Sequence, residues 1–334
     1  MAKAVRKVLA GTGVLVLLGG GLFVTKVRSG LAQLPSGPDK VIRFRENLDS
    51  TEAFRKLEEA KIIRDAGALG WYAKYKRTSS RVRRGSYRLH PGMTADEVLN
   101  ALKLPVVLKV RLRENEWASR AAKRLESEGV CKAKDYMALV NDPAAFASSV
   151  SFPLPKTSLE GYLFPDTYNF APEMDPREVI ETQLKTFEKK VWDGLNQPKN
   201  LDHIVNVAAM VELEASRKDE RGLVAGIIEN RLAKGMKLQI DATVLYAKQV
   251  WKDPTGREVR ETVSPYNTYK VAGLPPTPIC SPSMESLRAA ASPTKSDFLY
   301  YVGLPNETSL FAKTYEEHLV NVKKMIAARK AAQK

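Results

Sequence analysis

The N-terminal half of the chain repeats one pattern: an extended segment of alternating basic and apolar residues, then a turn and a helical segment. Such alternation predicts a strand, while apolar residues three and four positions apart, such as Val98, Leu99 and Leu102, predict one face of a helix. Thr94 and Glu97 fit a capping box that begins this helix. The pattern predicts small α+β modules. The extended segments are residues 41–45, 85–89 and 107–112.

The second half of the chain is predicted to consist of amphipathic helices joined by irregular loops. Pro176 suits the first turn of a long helix, and Gly235 ends a later one. A polar hairpin-like excursion is predicted at residues 251–263. A loop rich in Pro, Gly, Tyr and Asn covers residues 264–282, and a strand pair is predicted at residues 297–302 and 309–311. We therefore predict an α+β fold, in which a small α+β module precedes a larger mixed α/β domain.

The first thirty residues contain an uncharged apolar stretch, residues 8–24, which lies at the short end of what a membrane-spanning helix needs. A cleaved signal peptide is the alternative, but no small-residue cleavage site closes the stretch directly. We therefore predict an uncleaved single-pass anchor, with the N-terminus in the cytoplasm and the remainder outside it. The predicted domains are the tail and anchor, the strand–helix units and the larger domain, at residues 1–33, 34–150 and 151–334.

The chain is basic, with 53 Lys and Arg against 38 Asp and Glu and a formal net charge of +15. This balance favours contact with polyanions. A location outside the cytoplasm argues against nucleic acid and leaves the membrane surface or an acidic cell-wall polymer. Residues 71–84 interleave aromatic and basic side chains, which is typical of a polyanion-binding surface. The alternative is a helix that buries Trp71 and Tyr72 and is followed by a solvated basic loop.

Cysteine and histidine give no indication of a disulfide framework or a metal site. The two cysteines, Cys131 and Cys280, define no framework, and each could be paired or buried and free. The three histidines are widely separated along the chain. We predict no metal and no cofactor.

Glu160 is the strongest candidate for a catalytic group. It precedes a glycine and lies among Tyr162, Phe164 and Tyr168, in a segment whose Pro165 predicts a turn rather than a helix. A carboxyl group held against aromatic surface is costly to ionise, so its pKa rises and it stays protonated near neutral pH. A general acid for glycosidic bond cleavage needs that state. The alternative is a carboxylate that caps a loop beside core aromatics.

Three further segments place polar groups among apolar ones. Glu212 lies on the apolar face of a predicted helix, as a buried carboxylate or as the partner of a nearby arginine. Asp241, two residues after Gln239, either caps a helix or contacts a ligand. Tyr266 and Asn267 lie on a Pro-punctuated loop, where a ring can stack on a sugar and an amide can bond its hydroxyl groups. Such loops also occur without any ligand.

Taken together, six segments in this order and spacing resemble the successive motifs of the endolytic murein transglycosylase family, also called YceG-like. The resemblance extends from about residue 41 to the C-terminus. It departs from the family pattern at residues 115–117, at Thr277 and at Ser292, which puts local loop geometry in doubt more than activity. The motifs are residues 159–168, 211–215, 224–232, 234–244, 264–269 and 273–279.

The resemblance implies a LysM-like module in the strand–helix region and identifies Glu160 as the catalytic residue. It implies lytic cleavage of the MurNAc–GlcNAc β-1,4 bond of peptidoglycan, which leaves a 1,6-anhydroMurNAc end. One carboxyl group can serve twice in this reaction, because the C6 hydroxyl of the sugar replaces water. We expect the substrate-binding residues to be Tyr162, Glu212, Gln239, Asp241, Tyr266 and Asn267.

Two other readings remain open from the sequence. A hydrolytic muramidase would pair Glu160 with a second carboxylate, Glu212 or Asp241, and would leave reducing ends. A cell-wall-binding scaffold would hold glycan through the LysM-like units without cleaving it. By family analogy, the expected partners are peptidoglycan strands, the cytoplasmic membrane through the N-terminal helix, and peptidoglycan synthases, with no nucleic acid. The expected location is the bacterial cytoplasmic membrane, with the catalytic domain outside the cytoplasm.

Overall fold

The structure, a computed structural model, describes residues 24–250 and 255–332 of a mixed α/β chain. The chain divides into two compact units. Unit 1 contains the described residues up to Leu108 together with Asn169–Glu173. Unit 2 contains Lys109–Tyr168 and the residues from Met174 onward.

Unit 1 is built from two helices framed by two paired strands, with a third helix after them. Its elements in chain order are β1 (Lys40–Phe44), β2 (Leu48–Asp49), α1 (Ser50–Glu59), α2 (Ala66–Tyr75), β3 (Arg81–Val82), β4 (Gly85–Leu89) and α3 (Ala95–Ala101). β1 pairs with β4 in antiparallel orientation, and the register sets Phe44 opposite Gly85. The two-residue pair of β2 and β3 was not predicted, because two residues are too few to show an alternating pattern.

The sequence pattern identified the core of unit 1 correctly. Helix α3 begins with the predicted capping box of Thr94 and Glu97. Val98, Leu99 and Leu102 are buried on the face that the spacing predicted, in one cluster with the aromatic residues of β1, α1 and β4. Helices α1, α2 and α3 and the β1–β4 strand pair therefore share a single apolar core.

The remaining elements belong mainly to unit 2, which is largely helical. They are β5 (Leu108–Arg111), α4 (Ala118–Ser127), α5 (Ala133–Val140), a 3₁₀ turn (Pro143–Phe146), β6 (Thr167–Phe170), α6 (Pro176–Phe187), a π-helical turn (Glu188–Trp192), α7 (Leu201–Glu214), a second 3₁₀ turn (Lys218–Glu220), α8 (Arg221–Ala233), α9 (Asp241–Lys248), α10 (Gly256–Glu261), α11 (Met284–Ala291), β7 (Tyr300–Gly303), β8 (Ser309–Ala312) and α12 (Tyr315–Ala332). β5 pairs with β6, and β7 pairs with β8 as predicted.

Helix α7 is the central helix of unit 2. Every residue from Ile204 to Val211 is buried, which is the pattern of a helix surrounded by protein on all sides. It packs against α8, α9 and α11. The last turn of α7 therefore carries Glu212 and Glu214 out of the apolar core into the polar region of the unit.

The predictions about the anchor, the domain boundary and the LysM-like module have different outcomes. The predicted anchor, residues 8–24, lies outside the described residues except for Val24, and no described helix is both long and apolar enough to cross a membrane. Unit 1 ends at Leu108 rather than near residue 150, because α4 and α5 pack on each other and α5 packs on α6. The LysM-like module and the functional domain limits rest on the resemblance and stay predictions.

Two local predictions were wrong. The segment 251–263 was expected to form a hairpin, but its described part contains α10, which begins with a capping box of Thr255 and Glu258. The interpretation that buries Trp71 is also wrong, because 52% of this side chain is exposed.

Candidate active site

Glu160 lies in a turn-rich segment that leads into β6, and its side chain is buried, with 3% of its surface exposed. Both carboxylate oxygens accept a hydrogen bond from the backbone N–H of Ala118, at 2.9 Å for Oε1 and 3.1 Å for Oε2. Ala118 is the first residue of α4, where N–H groups have no partner within the helix. The carboxylate takes the place of a capping side chain, since Trp117 at the N-cap position makes no such bond.

Tyr246 of α9 supplies the second hydrogen bond to Glu160. Its hydroxyl group donates to Oε2 at 3.2 Å. The Tyr246 ring meets Trp117 edge-on, with ring centroids 5.9 Å apart, and packs against Tyr266 at 5.0 Å. The predicted aromatic setting of Glu160 is therefore present, but these rings come from α4, α9 and the 264–269 loop, not from the residues that follow Glu160.

The environment of Glu160 raises the pKa of its carboxyl group to about 8. Burial is the main cause, because an ionised carboxylate loses its hydration there. The hydrogen bonds from Ala118 and Tyr246 act in the opposite direction, since they stabilise the ionised form. At neutral pH the group is mostly protonated, yet two donors are already aimed at the charge that forms when it gives up its proton.

Gly161 explains why a glycine follows the glutamate. Its φ of +83° lies in the left-handed region that favours glycine. A Cβ atom at this position would lie 2.5 Å from Cβ of Pro278 and 3.0 Å from Cγ1 of Val205. The Glu160 segment, the 273–279 loop and α7 therefore approach one another at Gly161, and this close approach fixes the position of Glu160.

Replacing Gly161 by Ala is expected to lower the free energy of unfolding by about 2 kcal/mol or more, through backbone strain and overpacking together. Glycan-cleaving activity should fall as well, because Glu160 is the neighbouring residue. The matched control is Gly129→Ala, since Gly129 also has a positive φ, of +75°, but nothing lies within 4 Å of an added Cβ. Urea unfolding of both variants checks this, and equal losses would contradict the close-approach argument.

Tyr266 packs against Tyr246, the residue that bonds Glu160, whereas the Asn267 amide nitrogen is used by backbone carbonyl groups at the end of α10. The Tyr266 hydroxyl is 2.8 Å from Oγ1 of Thr277. Thr277 is one of the positions that depart from the family pattern, and it therefore forms a hydrogen bond with an aromatic residue beside the site. Asn267 is buried, and its Nδ2 donates to the carbonyl groups of Val259 and Thr262. Its Oδ1 accepts from the backbone N–H of Tyr269. Asn267 therefore holds the loop together and has no amide group left to offer a sugar.

Glu212 is the buried carboxylate that the sequence predicted, and its partner is Arg221. The guanidinium group donates to both carboxylate oxygens, at 3.1 and 3.2 Å, and both side chains are at least nine-tenths buried. Oε2 also accepts hydrogen bonds from the side chains of Ser283 and Ser286 and from the backbone N–H of Ser283. Both carboxylate oxygens of Glu212 are hydrogen-bonded to protein groups, so the geometry favours a structural role over direct sugar contact.

The buried thiol of Cys280 is influenced by both Glu160 and Glu212. Burial raises the pKa of Cys280 well above its usual range, and the charges of both glutamates add to the shift. Its Sγ donates to the carbonyl of Ala209 on α7. Glu212 therefore lies behind the site, where it holds the start of α11 near the last turn of α7.

Tyr162 is placed in the core rather than at a substrate surface. Its side chain is fully buried, stacks on Phe152 at 6.2 Å between ring centroids, and packs on Phe187 at 5.2 Å. The hydroxyl group donates to Asp202 at 2.9 Å. A side chain enclosed in this way cannot reach a glycan strand without rearrangement of the core.

Gln239 and Asp241 are both exposed, and Asp241 belongs to a second polar cluster. Tyr269 donates to Oδ1 of Asp241 at 2.6 Å, so the side chain of Asp241 does not cap α9 as the alternative reading expected. Glu214 accepts a hydrogen bond from the hydroxyl of Tyr301 at 2.6 Å. Burial raises the pKa of Glu214 to about 7, with a smaller contribution from the charge of Asp241. The structure shows no hydrogen bond between this cluster and Glu160.

Sequence reasoning missed two of the groups that hold Glu160. The N–H of Ala118 is a backbone donor, and no side-chain pattern reveals it. Tyr246 had a weak signal, because it lies on the polar side of the helix predicted after Asp241. In the described part of the chain, no three His, Cys, Asp or Glu side chains lie close enough to hold a metal ion.

Comparison with known proteins agrees with the resemblance read from the motifs. The sequence model of the YceG-like family matches residues 42–324. The endolytic murein transglycosylase of Bacillus subtilis (strain 168) is 31% identical over 293 residues, which cover 82% of this chain and 81% of that protein. The endolytic murein transglycosylase of Streptococcus pneumoniae serotype 2 is 29% identical over 303 residues, 80% of this chain and 54% of that protein. The chain spans about half the length of this second relative.

A solved structure is similar over most of the chain. The crystal structure of a YceG-like protein from Listeria monocytogenes is 29% identical in sequence, with a TM-score of 0.57. The match covers 84% of this chain and 98% of that one. The mixed α/β fold described above is therefore shared with a protein of known structure.

Proposed function

The chain belongs to the YceG-like family, and we propose on this premise that it is an endolytic murein transglycosylase that cleaves by the lytic route. The resemblance predicted from six motifs is thereby confirmed. We propose that the enzyme cleaves the MurNAc–GlcNAc β-1,4 bond within nascent peptidoglycan strands, leaves 1,6-anhydroMurNAc ends and limits strand elongation. The observation that carries this proposal is the buried, protonated Glu160 with two hydrogen-bond donors aimed at it.

In the first step, protonated Glu160 donates its proton to the glycosidic oxygen. The bond between this oxygen and the anomeric carbon breaks, and positive charge develops on the sugar ring. The carboxylate that forms is stabilised by the N–H of Ala118 and the hydroxyl of Tyr246, both already in place. Donors that need no reorganisation lower the barrier more than water would.

In the second step, the Glu160 carboxylate accepts the proton of the C6 hydroxyl group. The C6 oxygen bonds to the anomeric carbon and closes the anhydro ring, which regenerates the glutamic acid without consuming water. The nucleophile belongs to the same sugar as the anomeric carbon, so no second reactant has to be positioned. A single carboxyl group is sufficient for both proton transfers.

The surroundings of Glu160 support the lytic route over the hydrolytic alternative. A hydrolase of the usual kind needs a second carboxylate across the sugar as nucleophile or base. Among the residues that the structure describes, the carboxyl group of Glu160 is hydrogen-bonded to Ala118 and Tyr246 and to no carboxylate. Glu212 is bonded to Arg221 and two serines, and Asp241 to Tyr269.

The cellular setting follows from the sequence and remains part of the proposal. We propose that residues 8–24 anchor the chain in the bacterial cytoplasmic membrane, with the catalytic unit outside the cytoplasm. Unit 1 would act as a LysM-like glycan-binding module, which its paired strands and helices support. Peptidoglycan synthases at the membrane are the proposed partners, since they supply nascent strands.

The proposal is tested with full-length protein in detergent and purified, uncrosslinked glycan strands, whose products are analysed by mass spectrometry. We expect internal fragments whose new MurNAc ends are lighter by one water than reducing ends. Reducing ends would identify a hydrolytic muramidase. Strands that sediment with the protein but keep their length would identify a cell-wall-binding scaffold.

Replacing Tyr246 by Phe is expected to lower kcat/KM roughly tenfold, because the carboxylate formed in the first step loses one donor. The same loss raises the pKa of Glu160 above its present value of about 8, so the basic limb of the pH profile should move to higher pH. Tyr269→Phe is the control, since Tyr269 bonds Asp241 instead. A Tyr246→Phe variant with an unshifted basic limb would show that this hydroxyl does not act on Glu160.

A further inference from the structure

Unit 1 carries an exposed aromatic ridge that the catalytic proposal does not use. Trp71 and Tyr75 lie one helical turn apart on α2, with 52% and 73% of their surfaces exposed. Tyr72 beside them is held by a hydrogen bond to Asp96 at 2.9 Å. The ridge borders a groove of about 480 Å³, lined by Val24, Val27, Arg28, Leu31, Ala32, Trp71, Tyr72 and Tyr75.

The other side of this groove is the segment that directly follows the apolar stretch of the N-terminus. Residues 24–30 are helical, and Val24 is both the last residue of the uncharged stretch 8–24 and part of the groove. Gly30 sets this helix against α2, since a Cβ there would lie 2.6 Å from Cβ of Ala68. The chain therefore leaves its proposed membrane span directly beside the aromatic ridge.

The segment that carries the ridge is strongly basic. Between residues 66 and 84 it contains no Asp or Glu, and its basic residues are Lys74, Lys76, Arg77, Arg81, Arg83 and Arg84. Lys76 is paired with Asp96 at 3.2 Å, while Lys74 and Arg77 are exposed at the end of α2. Exposed aromatic rings are thus combined with positive charge on one short surface.

We propose that this ridge, with Trp71 and Tyr75 at its centre, docks unit 1 onto the lipid–water interface of a membrane with anionic headgroups. Trp and Tyr favour this interface because their rings are apolar at one end and polar at the other. Lys and Arg near the surface are attracted to anionic lipids. The inference rests on the proposed anchor, since a span that ends at Val24 brings the ridge to headgroup depth.

A glycan strand is the other ligand that aromatic rings could stack on. The position of the groove favours lipid, because five of its eight lining residues come from residues 24–32 and Val24 itself is 63% exposed. Apolar aliphatic side chains at the end of a membrane span fit acyl chains better than sugar hydroxyl groups. Docking would hold unit 1 at the membrane surface, where nascent strands emerge under the proposed function.

The test measures the depth of Trp71 with full-length protein in vesicles that contain anionic phosphatidylglycerol and lipids brominated near the headgroup end of the acyl chains. The chain has four tryptophans, so wild type is compared with Trp71→Phe and the difference reports on Trp71. We expect bromine to quench the Trp71 signal at least twofold. Lys74→Gln with Arg77→Gln should reduce this quenching to the level seen in zwitterionic vesicles.

The matched control is a double variant, Trp71→Phe with Tyr315→Trp, because Tyr315 on α12 is 56% exposed and lies outside the ridge. Its new tryptophan should not be quenched. Equal quenching at both positions, or none at Trp71 in protein that floats with the vesicles, would overturn docking and leave the anchor standing. Protein that does not float would overturn anchor and docking together. A Trp71 signal that responds to glycan strands and not to brominated lipid would assign the ridge to glycan.

Discussion

Glu160→Gln is expected to lower the rate of glycan cleavage by about 10²–10⁴-fold, the range that general acid catalysis contributes. Gln has almost the same shape as protonated Glu and can still accept a hydrogen bond from Ala118. It cannot donate a proton of suitable acidity to the glycosidic oxygen or take one back from the C6 hydroxyl group. The measurement is the initial rate of strand shortening at pH 7, with binding of the strands followed in parallel.

The same variant should lose activity while its stability relative to wild type increases with pH. This difference separates an effect on catalysis from an effect on folding. The pKa of Glu160 is raised in the folded state from 4.5 to about 8, so the folded protein keeps a proton that the unfolded chain loses in this window. The stability of the wild type should therefore fall as pH rises between these values, by at most about 1.4 kcal/mol per pH unit. Glu160→Gln lacks this dependence, and its stability relative to wild type should increase from pH 5 to pH 8. An inactive variant that is less stable than wild type at pH 8 would instead indicate damaged folding.

Glu212→Ala is expected to cost about 3–5 kcal/mol of the free energy of unfolding, the penalty for removing one partner of a buried ion pair. Arg221 would keep a buried charge without its carboxylate, and the hydroxyl groups of Ser283 and Ser286 would lose their shared acceptor. Urea denaturation followed by circular dichroism measures the change through the transition midpoint.

A surface pair provides the control for this variant. Arg257 and Glu261 are 2.9 Å apart, a distance similar to that of the buried pair, but their side chains are 78% and 63% exposed. Glu261→Ala should cost less than about 1 kcal/mol, because water screens the pair. If Glu212→Ala were as mild as Glu261→Ala while strand cleavage fell sharply, Glu212 would return to the substrate-binding role that the sequence suggested.

The parts of the fold that depend on local pattern were predictable. Helix α7 followed from a long apolar run, and α3 from its capping box and apolar spacing. In these helices, the residues that decide the structure lie within a few positions of each other. The burial of Glu160 was predicted as well, but the aromatic rings beside it belong to Trp117, Tyr246 and Tyr266 rather than to its neighbours in sequence.

The direction of individual side chains was not predictable in the same way. Tyr162 is two residues from Glu160, yet its ring belongs to the core around Phe187, and only the turn at Gly161 decides this. Asn267 had the chemistry for sugar binding, but its amide nitrogen donates to the backbone carbonyl groups of Val259 and Thr262 at the end of α10. The N–H of Ala118 meets Glu160 across 42 positions of the sequence. Such contacts depend on tertiary packing. The local order of residues does not reveal them, because they form only in the complete fold.

The central claim is that one carboxyl group cleaves the glycan without water, and digestion in water labelled with heavy oxygen tests it most directly. Full-length protein and purified glycan strands are incubated in this water, and the new chain ends are weighed by mass spectrometry. We expect anhydro ends that carry no heavy oxygen, and cleavage by Glu160→Gln that is slower by about 10²–10⁴-fold. Heavy oxygen in the new MurNAc ends would contradict it, because a water molecule would then have attacked the anomeric carbon.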